Sequence, residues 1–162
     1  MLISEAPWYM QKINAADSVY IQPKLNGWRC VMNTRTGTLY SRNGNIINLL
    51  HIKAPANSPE WIDGELYYHG VDLGTIQSMI KKQDTRIRLH VFDAITTGVF
   101  SERWEKIKGL NNAVQTHKIK PSEIDRYYRD FLKAGYEGAI IRLNTPYENK
   151  RSENIFKMKP IY

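Results

Sequence analysis

Cysteine is nearly absent from this sequence. The single thiol, Cys30, rules out any disulfide within the 162 residues, so a packed core must hold the fold. A reducing compartment, the cytoplasm, is the natural setting. No apolar run approaches the ~20 residues of a membrane-spanning helix. The opening stretch MLISEAPWYMQKIN lacks the basic start and long apolar segment of a secretion signal. The four histidines, His51, His69, His90 and His117, have no metal-ligand spacing, which argues against a zinc site built on them. There is no repeat, no low-complexity segment and no internal linker, so one domain over residues 1–162 is expected.

Charge of one sign is in excess. Lysine and arginine number 23 against 16 acids, a net charge of +7. That balance suits a polyanion such as nucleic acid, although charge alone is equally compatible with simple solubility. The basic run MIKKQDTRIR, with Lys81, Lys82, Arg86 and Arg88, reads as a solvated face or, more sharply, as a contact for a nucleic-acid backbone.

Periodicity gives a mixed set of elements. DSVYIQPKL and GWRCVMN alternate as two strands, with Val19, Ile21, Trp28, Cys30 and Met32 as the apolar positions. NTRTGTLYSRNGN reads as a hairpin turn, a short strand over 39–42 and a second turn at Asn43-Gly44. EWIDGELYY reads as a strand interrupted at Gly64, and RIRLHVFDAI as another. DLGTIQSMIKKQ has helical spacing with Asp72 as cap. SERWEKIKGLNNAV has Trp104 and Ile107 at helical spacing. PSEIDRYYRDFLKAG is a helix entered through Pro121 and stopped at Gly135. EGAIIRL and ENIFKMK close the chain as strands. Trp8, Trp61 and Trp104 read as core or lid packing. Without βαβ alternation, the fold class is α+β: antiparallel β-sheets flanked by helices.

Six short stretches put reactive side chains on or beside these strands: KLNGWR, SRNG, DGELY, HVFDAI, EGAIIR and FKMK. Lys24, Lys157, Lys159, Arg29 and Arg42 form a cationic set suited to phosphates. Like charge disfavours an ammonium and frees an amine for attack, which makes Lys24 the candidate nucleophile. Glu65, Glu137 and Asp63 supply carboxylates for a divalent metal or a ribose hydroxyl. Phe92 offers a flat face for a base, or serves as plain core. Together these groups describe nucleotidyl transfer through a lysine–nucleotide adduct.

The order and chemistry of these stretches resemble the covalent nucleotidyltransferase superfamily, and most closely ATP-dependent DNA ligases of the compact phage type. The family's Lys-x-Asp-Gly, with an arginine two residues on, is matched by Lys24 to Arg29. Ser-Arg-x-Gly is matched by 41–44, Asp-Gly-Glu by 63–65, the aromatic motif by Phe92-Asp93, Glu-Gly with its arginine by 137–142, and Lys-x-Lys by 157–159. PYENKRSENIFKMK is similar to the lead-in of that last motif in phage ligases. The match spans residues 20 to 159.

The resemblance implies an adenylation domain without an OB-fold, with ATP held between the sheets and Mg²⁺ or Mn²⁺ as the metal. Lys24 would attack the α-phosphate and carry AMP, which passes to the 5′-phosphate of nicked duplex DNA before sealing. Arg29 and Glu65 would contact the ribose, and Phe92 would stack on adenine. Arg42 would hold the 5′-phosphate of the nick or a nucleotide phosphate. Glu137, with Asp63, would serve the metal, and Lys157 and Lys159 would bind the α-phosphate. Gln22 lies where the family often contacts the base. A monomer is expected, in the host cytoplasm if the chain is phage-encoded. The shared motifs also admit an RNA ligase or other polynucleotide end-modifying transferase. A non-catalytic nucleic-acid-binding remnant is the alternative outside the enzymes.

Two features depart from the family pattern. Asn26 stands where the family has aspartate, keeping the shape without the charge; it would weaken sealing or serve only a turn. The sequence also ends three residues after Lys159, whereas family ligases continue into an OB-fold that helps orient the leaving group. Three readings stay open: a cut-out adenylation domain, a subunit completed by an OB-fold domain or subunit in trans, or a natural minimal protein; weak or absent sealing by this chain alone is expected.

Overall fold

The computed structural model describes residues 7–149 and 152–160, with side chains from Met10 onward. The side chain of Trp8, and Lys150 and Arg151 in the lead-in to the last motif, lie outside the described residues. The elements in chain order are α1 (Pro7–Asn14), β1 (Val19–Lys24), β2 (Trp28–Asn33), β3 (Thr38–Ser41), β4 (Ile46–Ile47) and β5 (Trp61–Tyr67). They are followed by α2 (Leu73–Lys81), β6 (Arg88–Ala94), α3 (Phe100–Glu105), β7 (His117–Ile119), α4 (Ile124–Lys133), β8 (Gly138–Arg142) and β9 (Ile155–Met158).

These strands form two antiparallel sheets, ordered β7-β1-β8-β9 and β4-β3-β2-β5-β6. Each has its own core. Val19, Ile21, Ala139, Ile141 and Phe156 on one face of the first sheet meet Ile124, Tyr128 and Phe131 of α4. Cys30, Met32, Ile62 and Leu66 on one face of the second meet Ile76 and Met79 of α2. Residue alternation thus sends one face of each sheet to a helix and leaves the other faces to the site between them. Strand β1 is buried on both faces over Val19–Pro23, as a strand with protein on either side must be. Burial pushes the Cys30 thiol up to about 12, so it is an unreactive core residue.

The α+β class and the main strands are as the sequence implies. Asp72 caps α2, its carboxylate accepting from the Thr75 amide at 2.7 Å. Gly135 ends the α4 segment with a φ of +92°. Strand β5 is not interrupted at Gly64; it runs through with a register shift between Asp63 and Gly64 against β6.

Other expectations are corrected. The helix read over 101–114 is α3 alone, Phe100–Glu105. Tight turns follow it, with the amides of Ile107 and Lys108 on the Trp104 carbonyl and that of Leu110 on Ile107. The chain then lies along β6 through a parallel bridge of Val91 with Ala113. Backbone pairing to β6 replaces the helical bonds that the Trp104–Ile107 spacing implied. Trp28 follows the apolar alternation but is 37% exposed, because it opens β2 at the rim of its sheet. Trp104 stacks on Phe100 at 6.2 Å, and Trp61 lies 5.7 Å from the Tyr40 ring. Among the described residues, no helix is long and apolar enough to cross a membrane.

Candidate active site

Lys24 is the last residue of β1 and Trp28 the first of β2, so Leu25-Asn26-Gly27 is where the chain passes from one sheet to the other. Leu25 anchors the crossing in the second sheet's core. The Gly27 amide donates to Glu65 Oε2 at 2.9 Å. A Cβ at Gly27 would sit 2.6 Å from the Leu66 carbonyl oxygen and 2.8 Å from Glu65 Oε2, so only glycine lets the turn lie this close to β5. The lysine is thereby fixed at the mouth of the gap between the sheets.

Register places the other first-sheet candidates beside it. In β1, β8 and β9, Lys24 pairs with Gly138, and Gln22 with Ile140, which pairs with Lys157. Residues directly opposite in an antiparallel sheet share a face. Gln22, Lys24 and Lys157 therefore look the same way, toward the gap. A Cβ on Gly138 would lie 1.9 Å from the Met158 carbonyl oxygen and 3.1 Å from the Lys159 Cα, so Lys159 approaches the row of Lys24 because residue 138 is bare. Lys157 and Lys159 are exposed.

The group touching Lys24 is a carboxylate. Its Nζ lies 2.7 Å from Glu137 Oε2, and the Glu137 amide donates to the Lys24 carbonyl at 3.1 Å. The resting geometry at this amine is an ion pair with two partly exposed partners. Glu65 faces the same space. Burial pushes its carboxyl up to about 7; the Gly27 amide and the charges of Lys24 and Arg29 pull the other way, and the nearby Glu137 adds to the rise.

On the second sheet, Arg29 pairs in register with Glu65, and its guanidinium grips Asp63, Nε to Oδ1 at 2.7 Å and Nη2 to Oδ2 at 2.5 Å. Tyr147, from the β8–β9 loop, donates to the same Oδ2 at 2.8 Å. Asp63 is buried, and its oxygens are occupied by these donors. The structure thus gives Asp63 to Arg29 rather than joining it to Glu137. Among the described residues there is no cluster of three or more histidines, cysteines or acids that could hold a metal. Arg42 is exposed on the β3–β4 turn, one residue past Ser41, which pairs with Cys30 beside Arg29.

Of the two readings offered for Phe92, the contacts seen are those of a core residue capped by cations. It packs against the second sheet's core, and the guanidinium carbons of Arg29 and Arg142 lie 5.1 and 5.3 Å from its ring centroid. Gln22 is buried with its amide fully engaged. Its nitrogen donates to the Phe92 carbonyl at 3.0 Å and Thr116 Oγ1 at 2.9 Å, and its oxygen accepts from Arg142 Nε at 2.8 Å. Gln22 therefore joins the two sheets behind the site.

Sequence reading missed Arg103 and Tyr147 here and, though it quoted Arg142 in a motif, gave it no role. Arg103 and Arg142 both pair with the buried Asp93, and Tyr147 completes Asp63. The signal present was an aspartate inside an apolar strand, HVFDAI, which must find a buried cation.

No family model matches the chain. The sequence is 30% identical over 175 residues to a DNA ligase of African swine fever virus (isolate Pig/Kenya/KEN-50/1950), covering 87% of this chain and 41% of that protein. The chain spans about two fifths of the length of the curated relatives it matches first. Among solved structures, the Chlorella virus DNA ligase-adenylate aligns over 87% of this chain and 60% of its own, with a TM-score of 0.68 and 22% identity. The ATP-dependent DNA ligase of bacteriophage T7, in complex with ATP, aligns over 98% and 67%, with a TM-score of 0.67 and 18% identity. Two antiparallel sheets with a lysine at their crossing are thus found in a chain similar in sequence to a viral DNA ligase and sharing the fold of the solved DNA ligases.

Proposed function

We propose that this chain is the adenylation domain of a DNA ligase: it takes AMP from ATP onto Lys24 and passes it to the 5′-phosphate of a DNA nick. The observation carrying this reading is the placement of Lys24 at the sheet crossing, 2.7 Å from Glu137 and facing Glu65, with Lys157 on the same face. The Lys24 amine attacks the α-phosphorus, an N–P bond forms, the bond to the bridging oxygen breaks and pyrophosphate leaves. Attack needs the neutral amine, and Glu137, in contact with Nζ, is the group placed to take its proton. Lys157 and Lys159 offset charge on the α-phosphate. Arg29, held by Asp63 and Tyr147, and Glu65 meet the ribose, and Phe92 meets the base. Gln22 backs the base site. Arg42 binds the DNA 5′-phosphate or a nucleotide phosphate.

A divalent cation fits this donor set in part. The charge of Glu137 opposes the ionisation of Glu65, which a cation relieves, and Mg²⁺ commonly takes one or two carboxylates plus substrate phosphates. Bound there, it would neutralise phosphate charge during in-line displacement. Asp63 supports Arg29 in this scheme.

The test is incubation with α-labelled ATP and Mg²⁺, then denaturing electrophoresis. Acid-labile label on the protein, absent from Lys24→Ala, is expected; no label at any ATP concentration overturns the proposal. Comparing nicked DNA with nicked RNA then fixes the substrate, with DNA expected.

A further inference from the structure

Behind the nucleotide-facing side chains lies a buried charge cluster with no direct access to the gap. Asp93 accepts from Arg103 twice, Nε to Oδ1 at 2.8 Å and Nη2 to Oδ2 at 3.2 Å, and from Arg142 Nη1 at 3.1 Å. The Ala94 amide donates to its Oδ1 at 2.7 Å. Arg103 also donates to the carbonyls of Gly98 at 2.8 Å and Thr145 at 2.9 Å. The side chains of Asp93, Arg103 and Arg142 are 2%, 3% and 7% exposed.

The cluster is a chain of supports that ends on two candidate nucleotide residues. Arg142 lies over the Phe92 ring and donates to Gln22, which in turn holds the Phe92 carbonyl. Arg142 and Gln22 belong to the first sheet, Phe92 and Asp93 to the second, and Arg103 to α3. Three arginines, Arg29, Arg103 and Arg142, stand against two aspartates, Asp63 and Asp93, so Arg142 keeps its place only while Asp93 faces it. Asp93 in turn is aimed by the rigid fork of Arg103, itself pinned by two carbonyls.

We infer that Arg103 is a positioning residue for the nucleotide base: through Asp93 and Arg142 it sets the Phe92 ring and Gln22 across the two sheets. This rests on the adenylation reading for its ligand, ATP. Lysine at 103 keeps the charge but loses the fork and cannot bond Asp93 twice and both carbonyls together. The effect falls on ATP binding more than on the chemical step, because Lys24 and Glu137 lie outside the cluster.

The test compares the wild type with Arg103→Lys, and with Asp93→Asn as the second variant should the first not fold. Each is checked by thermal melting. Equilibrium ATP binding is measured in the absence of metal, and adenylate formation in its presence. We expect the folded variant to bind ATP roughly tenfold or more weakly, with a matching rise in KM and a maximal adenylation rate within about twofold of wild type. Discrimination of ATP against GTP should fall. Unchanged ATP affinity in a folded variant overturns the inference, as does a loss confined to the maximal rate. Wild type that binds ATP without becoming labelled sinks the adenylation reading but leaves Arg103 to be judged by binding. Wild type that does not bind ATP removes both.

Discussion

Two groups of charges lie within this small domain, and they are built on opposite terms. Around Lys24, the side chains of Lys24 and Glu137 are 17% and 31% exposed and form a single short ion pair, while Glu65 is held partly protonated. Around Asp93, the charges are almost wholly buried, and the carboxylate is met by two guanidiniums and a backbone amide. The first group is under-committed: a phosphate or a metal can replace its internal partner at little cost. The second is over-committed: exchanging any partner leaves a bare charge in a low-dielectric interior. Availability of partners, more than the presence of charge, separates groups fit for chemistry from groups fit for holding a frame.

Breaking each group should therefore give opposite signatures. Lys24→Ala is expected to lower adenylate formation by at least about a thousandfold with little change in melting temperature, read by labelling and by calorimetry. A large loss of stability instead would make Lys24 a frame residue. Asp93→Ala should cost about 3–5 kcal/mol of stability in denaturant titrations, because two buried arginines lose their counter-charge. A cost below ~1 kcal/mol would dissolve the distinction between the groups.

Glu65 sharpens the comparison through pH. Its folded value is raised from near 4.5 to about 7. Below pH 4.5 it is protonated folded or unfolded; between there and about pH 7 only the folded state keeps the proton. Stability should thus fall as pH rises through that window, by about 3 kcal/mol at most, then level off. Glu65→Gln should flatten the slope in melts across that range; an unchanged slope would assign it elsewhere. Asn26→Asp, restoring the family's acid at the half-buried crossing, should raise nick sealing by roughly fivefold, about 1 kcal/mol of barrier. Equal or lower sealing would mark Asn26 as a turn residue or an adaptation. The exposed Lys108–Glu105 pair should register least: a double-mutant cycle should return under about 0.5 kcal/mol.

The first group was far more legible in the sequence than the second. Lys24, Glu65 and Glu137 stand beside glycines whose close approaches have physical reasons, and a motif of three or four residues is enough to show them. Their arrangement was less legible: the carboxylate found at Lys24 lies 113 residues away. The second group left only Asp93 as a trace. Arg103 sits in SERWEK, where the helical spacing of Trp104 and Ile107 draws no attention to it. Its burial depends on α3 ending at Glu105 and on packing against Thr145, 42 residues on. Gln22 was placed at the site by position, but its partners at Phe92, Thr116 and Arg142 follow from sheet order, which local periodicity does not contain. Strands β4 and β7, of two and three residues, are too short for any pattern and exist through pairing alone.

The most direct test of the central claim is mass spectrometry of the intact protein, followed by peptide mapping, after exposure to ATP and Mg²⁺. A mass gain of one adenylate, localised to Lys24 and reversed by added pyrophosphate, is the predicted result. An unmodified protein, or an adenylate on another residue, would contradict it.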